Sequence, residues 1–575
     1  MENKYIKLRI LLVGLFFLGA LGAIIAKAVH LQVYRSQWLS QIATDQYEKS
    51  LTTSGKRGTI YDRNMRELAL SGDVTSIAAH PSRVTEVKAS AKALAAILKL
   101  DARAIKMRLA SDRSFVWIKR KTTAKETSLV KDLDLPGIDF IQEYNRYYPN
   151  TTLAAQALGF TGLDGEGLEG IEFYYNRQLT GADKNFTVFK DALGNGFSPE
   201  NRQLATNRGH NLVLTIDSTI QYITENALQR AADQYSAGSA LAIVMQPQTG
   251  AILAIAHYPT FNPNSYLEYD RSRWRNRAIT DPFEPGSTFK IFSAAAALEY
   301  GNIKENDIFY CENGAYKIGK NVVHDIRRHG WLSLQQIIKF SSNIGAVKVG
   351  EKVGAKRLYQ TFRNFGFGEK TGIDCPGETP GSLSHYSSWS NIDIGAISFG
   401  HGIAVSAVQL ITAVASIAND GVLMQPYIVG SITDQNGLPV KSFKPRQVRR
   451  VVSARTAGIV KKIMRTVITE GGTGVNAALD GYSVCGKTGT ARKLDENGKY
   501  SDNKHVASFV GFTPANHPQI AILVVIDEPK EIFYGGIVAA PVFKDIAQQT
   551  LNYLNVAPES DKTKFRVSVG TKANG

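Results

Sequence analysis

Cysteine is scarce in this chain: Cys311, Cys375 and Cys485 are the only three in 575 residues. They are odd in number and far apart, with no Cys-x-x-Cys and no histidine at zinc-ligand spacing. That excludes a disulfide framework and a structural zinc site, and no metal or other cofactor is expected. A Cys311–Cys375 bridge stays open. Cys485, in an apolar run just before a glycine, reads as a small buried side chain. Acidic residues are also short, Asp and Glu numbering 51 against 67 Lys and Arg, for a net charge of +16. The surplus asks for an acidic partner. Helix-turn-helix, zinc-finger and RNA-binding signatures are missing and the cations are spread along the chain, so nucleic acid is not expected. An anionic envelope or membrane surface fits better. Internal repeats and low-complexity tracts are absent.

Long apolar runs are missing too, with one exception. After Lys4, Lys7 and Arg9, the stretch Ile10 to Ala26 carries no charge, and Ala28-Val29 follow Lys27. Such a segment spans about 30 Å of hydrocarbon when its ends snorkel. The lysine within Ala26-Lys27-Ala28 argues against cleavage as a signal peptide. Residues 1–9 are therefore expected as a cytoplasmic tail and 10–29 as an uncleaved transmembrane anchor, with the remainder outside. Later runs such as IAILVVI are too short to span.

Beyond the anchor, 30–51 reads as a helical extension. Residues 52–206 read as one irregular module of short strands and turns, with helical pieces such as VKASAKALAAILKL. From 209 to 557 the pattern sharpens. NLVLTID alternates like a strand, IQYITENALQRAADQY is an amphipathic helix, and SALAIVMQPQTGAILAIAHYP is a hairpin about Gln248-Thr249-Gly250. A helical middle runs from Ser287 to about Ala418, and three late strands follow: YSVCGKTGT, HVASFVGFTP and QIAILVVIDEP. Two strands, a helical insert and three strands predict an α/β (α+β) domain with a five-stranded, mainly antiparallel sheet packed by helices. Residues 558–575 read as a disordered tail.

Chemistry is suggested by FEPGSTFKIF at 283–292. Ser287, after Pro-Gly and before an alanine-rich run, is expected to be a helix N-cap, and Lys290 lies on the same face one turn on. The spacing is cheap, because Ser128–Lys131 and Ser501–Lys504 share it. Two further pieces give it company. Ser341-Ser342-Asn343 closes the helical run SLQQIIKF, and Lys487-Thr488-Gly489-Thr490 opens out of a strand, unlike the competing Lys370-Thr371-Gly372 among glycines and acids. In the latter strand Gly489 would let a ligand backbone approach, and Thr488 and Thr490 would offer hydroxyls to a carboxylate. A serine nucleophile needs a base, and lysine serves only when its pKa falls from about 10.4 towards 7, a shift of about 4 to 5 kcal/mol. Burial of Lys290 and a second cation, Lys487, are the expected causes.

Ser-x-x-Lys, Ser-x-Asn and Lys-Thr-Gly, in that order, form the motif set of penicillin-binding proteins and class A β-lactamases. With R57GTIYDRN, F115VWIKR, R146YYP and G162LDGEGLEGIE, the chain resembles class B penicillin-binding transpeptidases over nearly its whole length. No Glu-Asp-x-x-Phe of a fused glycosyltransferase occurs, and within the class it is similar to the division-specific FtsI type. The resemblance implies a penicillin-binding fold on an N-terminal pedestal, an inner-membrane anchor and a periplasmic catalytic domain. It implies Ser287 as nucleophile, Lys290 as base, Ser341 as proton relay with Lys487, and Asn343, Thr488, Gly489 and Thr490 as substrate-binding residues. The substrate would be the D-Ala-D-Ala end of a peptidoglycan stem peptide, β-lactams would acylate Ser287, and an FtsW-like glycan polymerase with other division proteins would be partners. A class A β-lactamase would add a Glu with an Asn four residues later; Glu351, Glu369, Glu378 and Glu470 lack it. A D,D-carboxypeptidase and a non-catalytic division scaffold or β-lactam sensor remain the alternatives. His324, Arg327, Arg328 and His329 are read as surface or packing groups, and FGHGIAVSAVQL is given no chemistry.

Overall fold

A computed structural model describes residues 2–39, 48–53, 55–181, 184–190, 196–197, 208–494 and 498–559. Helix α1 (Glu2–Val29) covers the expected anchor, and Ile6–Tyr34, with mean hydropathy 2.4, is long and apolar enough to cross a membrane once. The helical reading of the extension holds only as far as residue 39; 40–47 lie outside the described residues, and Glu48–Thr53 is a strand. Its register with Lys184–Lys190 is antiparallel, Leu51 opposite Phe186, a pairing partner about 135 positions away that no local helical pattern could reveal.

The chain forms two compact units, and they do not follow the expected linear boundary. One comprises residues 1–56, 72–145 and 181–208; the other takes 57–71, 146–180 and 209–575. The first has a small core of its own, in which Ile77, Leu94, Leu98, Ile105 and Ile118 are buried. Segments 57–71 and 146–180 belong to the second unit because their apolar residues, among them Ile60, Leu68, Tyr148 and Ile171, join its core. They are also tied by charge. Glu172, fully buried, accepts from Arg57 Nε at 2.5 Å and from Arg146 Nε at 2.6 Å, and Arg146 Nη1 donates to the Gly58 carbonyl at 2.7 Å. A buried carboxylate needs such company, since an unpaired one would neutralise instead. The R57GTIYDRN and R146YYP motifs thus serve internal ion pairing.

In the second unit, Asp217 caps α2 (Ser218–Gln234) through the amides of Thr219 and Ile220. β1 (Ser239–Met245) and β2 (Ile252–Tyr258) make the expected hairpin. Next come α3 (Lys290–Tyr300), α4 (Leu334–Phe340), α5 (Asn343–Val353) and α6 (Ala407–Ala418). The middle is less helical than expected: Ile308–Tyr310 pairs with Trp331–Ser333, and Ala315–Ile318 with Asn321–His324. β3 (Cys485–Leu494), β4 (Tyr500–Thr513), β5 (Ile520–Asp527) and α7 (Ala540–Tyr553) complete the unit. The five-stranded sheet has the order β2-β1-β5-β4-β3, antiparallel throughout. Every residue of β1 is buried, so both faces are covered, and α2, α7 and the wholly buried α6 supply the cover. Strand Asn211–Leu214 is shorter than NLVLTID and lies outside this sheet, pairing with Val429–Thr433. Cys485 is buried as expected, and Cys311 and Cys375 are free thiols, also buried. Of the residues expected in the tail, 558 and 559 are described, and the Glu559 amide donates to the Gly481 carbonyl at 2.8 Å; 560–575 lie outside the described residues.

Candidate active site

A 3₁₀ turn, Gly286–Phe289, leads into α3, with Pro285 at the cap position. Ser287 therefore sits inside the first turn and does not cap it, contrary to the sequence expectation. The turn is held instead by the Thr288 hydroxyl, which donates to the Pro285 carbonyl at 2.7 Å. Relieved of a capping bond, Ser287 Oγ lies 3.1 Å from Lys290 Nζ.

Lys290 is fully buried. Its nitrogen lies 2.6 Å from the Ser341 carbonyl, 2.7 Å from Asn343 Oδ1 and 3.3 Å from Ser341 Oγ. A neutral amine there donates to the two close acceptors and keeps its lone pair for the serine hydroxyl. Ser341 is the C-cap of α4 at φ +62°, in the left-handed region. That conformation turns its hydroxyl between the two lysines, and Lys487 Nζ donates to it at 2.9 Å.

Burial pushes the Lys290 ammonium down to about 7, against a smaller upward pull from Asp325. Lys487, also fully buried, is driven well below the ordinary lysine range by burial and then by the Lys290 charge. Desolvation is the leading cause at both lysines, since a buried ammonium loses its hydration, and the repulsion expected from a second cation acts on the Lys290–Lys487 pair.

Edge strand β3 carries the third motif. Gly489 has no room for a side chain, since a β-carbon would lie 2.3 Å from Ser508 Oγ and 2.9 Å from Thr288 Cγ2. The glycine is thus required by the close approach of Ser508 and the Ser287 turn, not by a ligand alone. Thr488 is buried and its hydroxyl donates to Thr473 Oγ1 at 2.9 Å, while Thr490 Oγ1 accepts from the Gly535 amide at 3.1 Å. Asn343 retains one amide hydrogen for a ligand, the other being donated to the His324 carbonyl at 3.0 Å. The Lys370-Thr371-Gly372 competitor is a loop in which Thr371 is tied to Glu378. Of the other two Ser-x-x-Lys serines, Ser128 lies inside the helix Ala124–Lys131 and Ser501 Oγ accepts from the Asn503 amide at 3.2 Å.

Sequence reading missed Asp325. Its carboxylate accepts from Ser342 Oγ at 2.5 Å and from the amides of Asn343 at 2.5 Å and Ile344 at 3.1 Å, holding the turn that presents Ser341 and Asn343. The distance of 17 to 19 positions hid it. The FGHG segment was also undervalued. Phe283 and Val405 exchange backbone hydrogen bonds, and the Gly286 amide donates to the Gly400 carbonyl at 3.1 Å. The segment is a brace for the Ser287 turn. Among the described residues, no cluster of three or more His, Cys, Asp or Glu side chains could hold a metal ion.

The sheet and helices, with the half-buried Ser287 and Ser341 beside the buried Lys290 and Lys487, define a serine acyltransferase of the penicillin-recognising class. Residues 240–548 match the penicillin binding protein transpeptidase domain and residues 52–214 the penicillin-binding protein dimerisation domain, and the chain belongs to the class B, FtsI-like penicillin-binding protein family. It is 35% identical, over 98% of its length and 95% of the relative's, to a probable peptidoglycan D,D-transpeptidase PenA of Neisseria meningitidis serogroup B. It is 33% identical to the peptidoglycan D,D-transpeptidase FtsI of Escherichia coli K12, covering 94% of this chain and 93% of that one. Penicillin binding protein 3 of Mycobacterium tuberculosis, solved with aztreonam, superposes with a TM-score of 0.69 at 27% identity, over 88% of this chain and 98% of that one.

Proposed function

We propose that this protein is a peptidoglycan D,D-transpeptidase of septal wall synthesis and a penicillin target. The observation that carries this reading is the buried Lys290 amine 3.1 Å from Ser287 Oγ. Ser287 Oγ attacks the carbonyl of the penultimate D-Ala, its proton passing to Lys290. The oxyanion rests between the backbone N–H groups of Ser287 and Thr490, where each donor contributes about 2.7 to 4 kcal/mol. The C–N bond breaks as a proton reaches the leaving amine through Ser341, which links Lys290 and Lys487, and D-Ala departs. An amine of a neighbouring stem attacks the acyl-enzyme, restores the serine and forms the crosslink. The free outer edge of β3 is suited to an extended donor peptide, with Asn343, Thr488, Gly489 and Thr490 along its path. A β-lactam acylates the same serine, and none of Glu351, Glu369, Glu378 and Glu470 is followed four residues on by the Asn with which a class A β-lactamase activates its hydrolytic water.

The expected division of the chain is retained for function: residues 209–557 act as the transpeptidase domain, 52–206 as a pedestal and 10–29 as an inner-membrane anchor, with the N-terminus cytoplasmic and the catalytic domain periplasmic. The pedestal docks an FtsW-like glycan polymerase, and co-purification surviving deletion of 52–206 would refute that. The central test is intact mass after benzylpenicillin for the wild type and Ser287→Ala, followed by incubation with donor and acceptor stems. An adduct on wild type alone and a crosslinked dimer are expected. An adduct on the alanine variant would overturn the nucleophile, and hydrolysis product alone would convert the reading to carboxypeptidase.

A further inference from the structure

The segment His324–Gly330, HDIRRHG, contributes no group to the acyl-transfer steps, yet it is fastened to the site. Its root is bound twice to the Ser341–Asn343 turn: the His324 carbonyl takes the Asn343 amide at 3.0 Å, and the Asp325 carboxylate takes three donors from residues 342–344. Its backbone is fixed at both ends, the Asp325 amide donating to the Gly314 carbonyl at 3.2 Å and the Cys311 amide to the Gly330 carbonyl at 2.6 Å. Successive contacts of 3.1, 2.7 and 3.0 Å lead from Ser287 through Lys290 and Asn343 to this loop.

What the loop presents is unusual for a merely solvated turn. Ile326 is 82% exposed and Trp331, just beyond, 65%. Arg327 and Arg328 are exposed, and neither guanidinium makes an ion pair or side-chain hydrogen bond among the described residues. The acids near them in the fold are already engaged: Asp325 in the turn, Glu312 on Lys348 at 3.1 Å, Glu351 with the Tyr316 hydroxyl at 3.2 Å. The Arg328 stem packs over Gly314, where a β-carbon would come within 3.0 Å of its Cγ. Two adjacent unneutralised guanidiniums beside an exposed aliphatic and an indole are the composition of a recognition surface, and the guanidinium fork matches carboxylate geometry.

We propose that the loop 324–330 is a carboxylate-recognition subsite for the stem peptide, in which Arg327 and Arg328 bind free carboxylates upstream of the D-Ala pair and Ile326 covers the peptide's aliphatic part. The inference rests on the acyl-transfer reading of Ser287 and deepens it by naming the substrate as an acidic stem. An extended peptide advances roughly 3.3 to 3.6 Å per residue, so positions two and three before the scissile bond fall at the distance of a loop one hydrogen bond beyond Asn343. Two carboxylates have the required chemistry: the α-carboxyl of a γ-linked glutamate and the second carboxyl of a diamino-diacid at the third position.

The test uses the full chain in detergent with synthetic pentapeptide stems in which each carboxylate is separately free or amidated. Arg327→Gln/Arg328→Gln is expected to raise KM about 10- to 100-fold for the carboxylate-bearing stem, with kcat within a few-fold and the amidated stem turned over as by wild type. The amide that abolishes the difference identifies which carboxylate is bound. Acylation by benzylpenicillin, which lacks a stem, reports folding and the Ser287 chemistry independently and is expected to stay within twofold. Arg327→Lys, keeping charge without the fork, should fall between. Equal losses on free and amidated stems, or no loss on either, would overturn the subsite while the nucleophile assignment stands. If the double variant fails to bind penicillin, Arg327→Gln alone is assayed against the same criteria.

Discussion

Lys487 Nζ donates to Ser341 Oγ at 2.9 Å across 146 positions, and the same hydroxyl stands 3.3 Å from Lys290 Nζ. One hydroxyl thus joins two buried amines, which is the arrangement a proton relay needs. Ser341→Ala should lower kcat on stem peptides by about 10²- to 10⁴-fold, the usual contribution of a positioned acid–base group. Its effect on KM should be small. Steady-state kinetics with a D-Ala-releasing substrate decides it, and a pure KM effect would contradict the relay.

The pH dependence follows from Lys290. Its folded-state value of about 7 means that below pH 7 the amine holds a proton and cannot accept one from Ser287. The second-order rate of penicillin acylation should therefore rise with pH through about 7 and fall roughly tenfold per unit well below it. A limb near the ordinary lysine value of about 10.4 would show that Lys290 is not the base.

Asp325→Asn removes the charge that pulls Lys290 upward. The acid limb of acylation should move to lower pH, while the plateau rate falls because the 342–344 donors lose a carboxylate acceptor. Asp325→Glu should restore the limb more than the plateau. A loss of rate with an unmoved limb would reduce Asp325 to scaffolding.

Gly400 stands at φ +87°, where a β-carbon would come within 2.1 Å of the Gly286 carbonyl oxygen. Gly400→Ala should push the brace off the nucleophile turn and slow acylation at least tenfold with the fold retained, measured by circular dichroism beside penicillin-binding rate. An unaffected rate would show that the brace is dispensable.

Glu172→Gln leaves Arg57 and Arg146 buried without their shared anion. Breaking a buried pair in this way costs about 3 to 5 kcal/mol. The thermal midpoint of penicillin binding should drop by several degrees, with unchanged acylation rate in the protein that stays folded. A slower rate at full occupancy would tie the triad to the chemistry.

Much of the site was legible because its motifs are short and local. Ser287 and Lys290 lie one turn apart, and Lys487 opens an alternating strand, so each could be placed on an element without knowledge of the rest. Asp325 was not legible, since a carboxylate that caps a turn 17 to 19 residues away leaves no periodic trace. The capping role expected of Ser287 failed for a related reason: local propensity favoured it, but Thr288 holds the turn and frees the hydroxyl.

By itself the sequence determined the apolar N-terminal helix, the five-strand count of the sheet and the three short motifs that meet around Ser287, because hydrophobic period and residue spacing act over a few positions. Tertiary structure alone decided that residues 57–71 and 146–180 join the second unit, that Lys290 and Lys487 are both fully buried, and that HDIRRHG reaches the site. Those outcomes depend on which distant surfaces exclude water together, and desolvation is a property of the packed fold, not of any segment in it.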